Sequence, residues 1–222
     1  MYVGWSMITN LHTVSPETAI FRAREIMEEH RISHLPVTDG KAHLLGIVTD
    51  RDLKEAWASP ATTLSIHELT YVLQKLTIAN IMTKKVITAT PDMTIERAAQ
   101  IILEHKIGAL PVVMGGRLVG IITITDLMEV LLTAVGMSED TRRLSLLVGD
   151  RIGLLADLGR CMQQAGVSIA SIMTVPLRGL EHVWQIIMRV KQTDLEGAVS
   201  TLTREGFKPI TEYVEDLTPY LP

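Results

Sequence analysis

Apolar residues recur along the chain at two spacings, which predict strands and helices in alternation. The apolar runs 44–48 and 118–122 each end at a threonine and predict buried strands. Apolar positions three or four residues apart precede both runs and predict helices, each opened by an N-cap and a proline at Ser15-Pro16 or Thr90-Pro91. The apolar helix positions are Ala19, Ile20, Ala23, Ile26 and Met27, then Ile95, Ala98, Ala99 and Ile102.

The layout of strand, helix, two strands and closing helix occurs twice, because residues 7–36 match residues 82–111 at a constant offset of 75. After the next strand the offset falls to 74, and the lost residue lies in a turn, where a change of length costs least. Corresponding pairs there are Gly46 and Gly120, Thr49 and Thr123, and Asp52 and Asp126. We therefore predict an internal repeat with copies at about 7–58 and 80–135.

Each copy places a threonine at the end of a strand and an aspartate three residues later, at the start of a helix. A carboxylate there can accept hydrogen bonds from the two vicinal hydroxyls of a ribose. The threonine hydroxyl and the free N–H groups of the helix start can face a phosphate. Thr-x-x-Asp is also the pattern of a capping box, which serves the helix alone. Both interpretations remain open, and the occurrence of two copies favours a ligand site.

Three motifs recur in both copies and together are specific. They are Met-Thr near the start (Met82-Thr83, with Met7-Ile8 in the first copy), Ile-x-x-Leu-Pro-Val, and Gly-Ile-Val/Ile-Thr-x-x-Asp. With these motifs the chain resembles the CBS domain, and residues 1–135 resemble a tandem CBS pair. The resemblance implies a mixed α/β fold in which two βαββα repeats form one pseudo-symmetric module.

The resemblance also implies a ligand, because many CBS pairs bind adenosine nucleotides or related adenosyl compounds between the repeats. AMP, ADP, ATP or another adenosyl compound is expected here, with no cofactor required. By position, Asp52 and Asp126 would accept from the ribose, and Thr49 and Thr123 would lie near the phosphates. The residues expected to line the adenine are Ser33, His34 and Pro36, then Gly108, Ala109 and Pro111.

The segment 59–79 between the copies is longer than a minimal connection. Residues 59–63 predict a loop, and helical spacing follows at Ile66, Leu69, Val72, Leu73 and Leu76. This helical linker could cover one cleft, form a dimer contact or pack in the core, and the sequence favours core packing.

Residues 141–216 predict a second domain with the order strand, helix, strand, strand, helix, strand, which is ferredoxin-like. The expected strands are 143–148, 167–175, 182–190 and 207–214, and the helices are 152–165 and 195–202. Pro209 predicts that the last strand lies at an edge, because proline cannot donate to a ladder.

The segments 149–155 and 165–169 of this domain resemble the ACT domain, a regulatory module that often binds amino acids at subunit interfaces. Ile152 and Ser168 stand where that family more often has Pro and Asn, so a partner for an amino-acid ligand is missing. We therefore expect dimerisation more than ligand binding, although Gly153 keeps free N–H groups at a helix start. A CBS pair followed by an ACT domain resembles the bacterial acetoin-utilisation proteins of the AcuB type.

Composition and charge narrow the function classes. Apolar residues make up 47% and charged residues 21% of the chain, as in a globular protein. The formal net charge of −4 argues against a general nucleic-acid binder. No apolar run approaches the ~20 residues of a membrane span, and residues 1–7 lack the pattern of a signal peptide. The lone Cys161 suits a reducing compartment and a buried position, so we expect the cytoplasm.

Candidate chemistry elsewhere in the chain is weak. His30 and His34 could share a helix face as metal ligands, but Pro36 follows and Ala109 replaces His34 in the second copy, so no metal site is expected. No catalytic constellation appears. The leading hypothesis is a non-catalytic, homodimeric sensor of adenosine nucleotides that acts on a protein partner. The alternatives are a dimeric scaffold without ligand and an amino-acid sensor acting through the ACT domain.

Overall fold

A computed structural model describes residues 1–58 and 76–222 of the chain. The described residues form two units, Met1–Met128 and Glu129–Pro222. The division therefore falls inside a helix, a few residues before the boundary that the sequence placed near residue 135. The predicted loop at 59–63 and most of the predicted linker helix lie outside the described residues.

The first unit contains the two repeats, in which a short leading helix, a longer helix, two strands and a closing helix follow in the same order; the leading helix of the first repeat is a 3-10 helix (Val3–Trp5). The first repeat has α1 (Ile20–His30), β1 (His34–Thr38), β2 (Leu44–Thr49) and α2 (Asp50–Ala58). The second has a short helix α3 (Ile78–Ile81), then α4 (Ile95–His105), β3 (Ala109–Met114), β4 (Arg117–Thr123) and α5 (Ile124–Ala134). Strand β1 pairs antiparallel with β2, and β3 with β4. The first extended segment of each repeat forms only a single parallel bridge, at Val14 or Ala89.

Helices α1 and α4 begin four residues after the prolines that were predicted to open them. Ser15 and Thr90 are not N-caps but start tight turns, in which their carbonyl oxygens accept from Thr18 N (3.1 Å) and Met93 N (3.0 Å). The prediction that these prolines open the helices was therefore wrong. Proline fits the second position of a tight turn as well as the first turn of a helix, so the same local sequence suits both. The N-cap of α4 is Thr94, whose hydroxyl accepts from Arg97 N at 3.2 Å.

The segment before the first long helix of each repeat pairs with a strand of the other repeat. Ile8 bonds to Ile121 of β4 through both backbone groups (2.9 and 3.0 Å), and Thr83 bonds to Ile47 of β2 in the same way. The corresponding glycines permit this crossing. A Cβ on Gly46 would lie 2.7 Å from Met82 Sδ, and a Cβ on Gly120 would collide with Met7 Sδ. The glycines and methionines of the repeated motifs therefore hold the two repeats together.

The core of the first repeat lies between the helices and the two-stranded sheet. Its buried residues are Val14, Ile20, Ala23, Met27, Leu35, Val37, Val48, Leu53 and Ile78. Ile78 belongs to α3, at the start of the second repeat, and also contributes to this core. Burial of this apolar surface fixes the junction between β2 and α2, where the predicted ligand residues lie.

The second unit contains β5 (Thr141–Gly149), α6 (Leu154–Ala165), β6 (Ile169–Pro176), β7 (Val183–Lys191) and α7 (Leu195–Arg204). The strands form one antiparallel sheet in the order β5-β7-β6. The element order agrees with the predicted order as far as α7. Cys161 lies in the core of this unit with Leu158 and Met162, and burial raises the pKa of its thiol.

The predicted last strand at 207–214 was wrong in extent. The structure has a single bridge there, in which Ile210 and Ser145 exchange two backbone hydrogen bonds of 2.8 Å. This bridge lies on the edge of β5 away from β7, next to Pro209. The three residues after Ile210 are exposed, Tyr213 to 90%, so no side-chain burial there holds a longer strand against β5.

Candidate functional site

A cavity of about 450 Å³, which we call cleft A, lies where β2 ends and α2 begins. Its lining includes six residues that the sequence predicted: Ser33, His34, Thr49, Asp52, Gly108 and Ala109. Three exposed cationic residues, Arg51, Lys85 and Lys106, also line it. Cleft A therefore draws its walls from both repeats.

A second cavity of about 310 Å³, which we call cleft B, lies at the corresponding junction of β4 and α5. Five predicted residues line it: Ser33, His34, Pro36, Gly108 and Thr123. Asp126 and Pro111 line neither cavity, although Asp126 Oδ2 accepts from Oγ1 of Thr123, which lines cleft B. Ser33, His34 and Gly108 line both clefts.

Both Thr–Asp pairs form complete capping boxes. Asp52 Oδ2 accepts from Thr49 N (2.8 Å) and Thr49 Oγ1 (2.7 Å), and Thr49 Oγ1 accepts from Asp52 N at 3.2 Å. The corresponding distances for Thr123 and Asp126 are 2.7, 2.8 and 3.3 Å. The capping interpretation of the motif is thus realised in both repeats.

The capping bonds leave one carboxylate oxygen free in each repeat. Oδ1 of Asp52 and Oδ1 of Asp126 have no hydrogen-bond partner in the described part of the chain. The threonine hydroxyls differ, because each has a single hydrogen and donates it to the aspartate. A ligand hydroxyl can therefore donate to the free carboxylate oxygen without breaking the cap, whereas a phosphate cannot receive the threonine hydrogen unless that bond breaks.

Backbone hydrogen bonds fix the position of the loops that face the helix starts. Asp50 N donates to Ser33 O and Ile124 N donates to Gly108 O, both at 3.0 Å. These bonds tie the residue before each first strand to the first residue of the closing helix. The predicted adenine-lining loop and the predicted ribose-binding carboxylate are consequently held in one arrangement.

His34 breaks the symmetry between the repeats. A Cβ on Gly108 would lie 2.6 Å from His34 Nε2, so His34 occupies the space that a side chain at 108 would need. The corresponding positions in the other repeat have the opposite sizes, Ala109 for His34 and Ser33 for Gly108. The packing of these residues against one another was not predicted. The signal available in the sequence was that the larger residue at one position accompanies the smaller residue at the other. Burial lowers the pKa of His34, and the nearby charge of Asp52 opposes this shift.

The remaining predicted candidates are separated by the fold. The His30 ring stacks on His12, with 3.7 Å between ring centroids, rather than joining His34. Among residues 1–58 and 76–222, no three His, Cys, Asp or Glu side chains come together as metal ligands do. Within the same residues, no helix is long and apolar enough to cross a bilayer.

The segment 149–155, which resembles the ACT domain, borders a cavity of about 470 Å³ in the second unit. Gly153 is the N-cap of α6 with a φ of 86°, a left-handed value that suits glycine. The cationic groups at this cavity already have partners, because Arg151 pairs with Asp157 and Lys208 Nζ donates to Leu221 O at 2.7 Å.

Comparison with known families identifies the first unit. The sequence model of the CBS domain matches residues 3–59 and 78–133, which are the two repeats. The chain belongs to the CBS-domain family. The resemblance inferred from the repeated motifs is therefore confirmed for the CBS pair.

The curated relatives that the chain matches are longer proteins. Inosine-5'-monophosphate dehydrogenase of Staphylococcus saprophyticus is 30% identical over 223 residues, which cover 95% of this chain and 41% of that enzyme. The same enzyme of Staphylococcus aureus is 33% identical over 174 residues, or 32% of its length. The chain thus spans less than half the length of these relatives.

Solved structures of CBS pairs are similar to about three fifths of the chain. CBSX2 in complex with AMP has 31% identity and a TM-score of 0.51, covering 60% of this chain and 96% of that one. The CBS pair of protein MJ0100, in complex with 5-methylthioadenosine and S-adenosyl-L-methionine, has 30% identity and a TM-score of 0.51, with coverages of 59% and 95%. A putative acetoin utilisation protein, AcuB from Vibrio cholerae, has 30% identity and a TM-score of 0.51, with coverages of 60% and 91%. The predicted resemblance to AcuB is confirmed.

Proposed function

We propose that this chain is a non-catalytic regulatory protein that senses an adenosine nucleotide or another adenosyl compound in its CBS clefts. The observation that carries the proposal is the pair of free carboxylate oxygens, Oδ1 of Asp52 and Oδ1 of Asp126, each held at the start of a helix by a complete cap. The AMP and adenosyl complexes of similar CBS pairs support the choice of ligand class.

Ribose recognition follows from the chemistry of the carboxylate. An ionised aspartate only accepts hydrogen bonds, and the two hydroxyls of a ribose can both donate. The capping bonds fix the carboxylate before the ligand arrives, so little side-chain entropy is lost on binding. Thr49 and Thr123 then serve mainly to position the aspartates, and the phosphates contact other groups.

The adenine is assigned to the residue before each of β1 and β3 and to the first residues of these strands. Ser33, His34 and Gly108 line both clefts, Ala109 lines cleft A and Pro36 lines cleft B. Pro111 is assigned by correspondence with Pro36 and is buried. The bonds from Asp50 N and Ile124 N hold these segments against the ribose-binding helices.

Regulation is proposed to work by linkage. A ligand that bridges the repeats favours one arrangement of the module, with a coupling of about 1–3 kcal/mol. We assign residues 141–216 to an ACT domain that mediates a homodimer and passes the bias to a regulated protein partner. The setting that the AcuB resemblance favours is acetoin or related carbon metabolism in the cytoplasm.

One observation favours a second candidate function. The Thr–Asp pairs are fully explained as helix caps, which is what a ligand-free dimeric scaffold would need from them. An amino-acid sensor acting through the second unit is less favoured, because Arg151 and Lys208 at its cavity have partners.

A thermal-shift experiment on the full chain separates these functions. The compounds are AMP, ADP, ATP, S-adenosyl-L-methionine, 2'-deoxy-AMP and the common amino acids. Ligand binding to the folded state raises the unfolding midpoint, and we expect a shift with an adenosyl compound that is weaker with 2'-deoxy-AMP. A shift with amino acids alone would favour the second unit as the sensor. No shift with any compound would favour the scaffold.

A further inference from the structure

The two clefts share a backbone framework but differ in charge at corresponding positions. Cleft A is lined by Arg51, Lys85 and Lys106. The corresponding residues of cleft B are Thr125, Asn10 and Arg31, in the same order. The lining of cleft A thus has three cationic and two acidic residues, Asp50 and Asp52, whereas that of cleft B has one cationic and no acidic residue.

The cations of cleft A remain available to a ligand. Lys85 and Lys106 have no ion pair within the described ranges 1–58 and 76–222. Arg51 Nε donates to Glu55 Oε1 at 2.8 Å, which leaves the other guanidinium N–H groups free for an anion. Of the two acidic residues in this lining, Asp50 pairs with Lys54 Nζ at 2.5 Å, and Asp52 is the proposed ribose acceptor, held by its bonds to Thr49.

Cleft B is smaller and lacks two polar side chains that cleft A has. Ile8 and Ile124 line it where cleft A has Thr83 and Asp50. Its volume is about 310 Å³, against about 450 Å³ for cleft A. A chain of phosphates would therefore find both less space and fewer counter-charges in cleft B.

We propose that the clefts divide the ligands between them: cleft A takes a phosphorylated adenosine nucleotide, and cleft B takes an adenosyl ligand with little or no negative charge. This assignment rests on the proposed function and adds the ligand class of each cleft. Phosphate oxygens accept hydrogen bonds from guanidinium and ammonium groups. The three cations are exposed, so each contributes modestly and the preference weakens as salt rises.

The repeat supplies a reciprocal test. One variant, Arg51→Thr with Lys85→Asn, gives cleft A the residues of cleft B. The other, Thr125→Arg with Asn10→Lys, gives cleft B the residues of cleft A. Lys84→Asn is the matched control, because Lys84 is an exposed neighbour of Lys85 that lines neither cavity. Calorimetric titrations of the full chain with adenosine, AMP and ATP at low and high salt measure affinity and number of sites.

The first variant is expected to lower ATP affinity about tenfold and to reduce its salt dependence, with adenosine binding unchanged. The second variant is expected to gain a second ATP site, and Lys84→Asn is expected to behave as the parent. Equal ATP affinity in the first variant and the parent, or an equal loss in Lys84→Asn, would overturn the assignment. If the parent binds none of the three compounds and S-adenosyl-L-methionine gives no thermal shift, the proposed function fails, and the assignment fails with it.

Discussion

Cleft A and cleft B are built from corresponding segments, and the comparison separates what the fold fixes from what the side chains vary. The Thr–Asp caps agree to within 0.1 Å in all three hydrogen bonds. The bonds from Asp50 N and Ile124 N have the same length. The residues around these fixed groups differ in charge, size and polarity. The duplicated framework therefore keeps one cap geometry in two chemical settings, although Asp52 lines cleft A and Asp126 does not line cleft B.

His34 is the largest local difference between the repeats. It fills space in both clefts, while Ala109 at the corresponding position is small and buried. Because Gly108 must remain small beside His34 and both residues line both clefts, a substitution at either position changes the walls of both clefts. The pseudo-symmetry is thus broken at the point where the two clefts meet.

Exchange of residues at this point is expected to have the largest effect on stability. Gly108→Ser copies the residue of the first repeat, and its Cβ would meet His34 Nε2, so we expect a loss of about 1–3 kcal/mol in the free energy of unfolding. Urea unfolding measures this loss. His34→Ala in the same chain removes the clash and should restore part of the stability.

Ser33→Gly is the control for that exchange, because Ser33 corresponds to Gly108 and is exposed. We expect it to cost less than about 1 kcal/mol. An equal loss for Ser33→Gly and Gly108→Ser, or no recovery with His34→Ala, would show that His34 does not define the asymmetry.

Removal of the caps is expected to affect both repeats equally. Asp52→Ala and Asp126→Ala each lose the same set of bonds, so each should lower the free energy of unfolding by about 1 kcal/mol. Asp→Asn at either position keeps an acceptor for the cap and should cost less. Chemical unfolding of the four variants tests the equivalence, and a difference above about 1 kcal/mol between the repeats would contradict it.

The smallest expected effect is the pH dependence that His34 gives to the first repeat alone. Burial holds its pKa below 6.5, against the charge of Asp52. At acidic pH the imidazole of His34 therefore binds a proton more readily in the unfolded chain than in the folded chain. The free energy of unfolding consequently decreases as the pH is lowered. When the pH is lowered from about 7.5 to about 5.5, the free energy of unfolding of the parent should decrease more than that of His34→Ala. A shift in favour of the parent would mean that His34 is stabilised in its charged form.

The sequence predicted the repeat and the junctions of the clefts because corresponding motifs have a fixed offset. Thr49, Asp52 and Thr123 lie where the offset placed them. The predicted helix starts at Pro16 and Pro91 were wrong, since a proline in a turn and a proline at a helix start share the same local sequence. Local propensity cannot choose between them, because the choice depends on packing.

Contacts between the repeats could not be predicted from the pattern of one repeat. The pairing of Ile8 with Ile121, and of Thr83 with Ile47, depends on how the two copies pack. The packing of His34 against Gly108 depends on the same arrangement. In the second unit, alternation predicted the paired strands but overestimated the segment after Phe207, where only Ile210 pairs with β5.

We propose that Asp52 and Asp126 bind the ribose of an adenosine nucleotide while they cap their helices. The test is calorimetric titration of AMP into the parent and into the double variant Asp52→Asn with Asp126→Asn. The parent is expected to bind AMP, and the double variant, with an unfolding free energy close to that of the parent, is expected to bind it at least about tenfold more weakly. Equal AMP affinity in the two proteins would show that the two carboxylates do not bind the ribose.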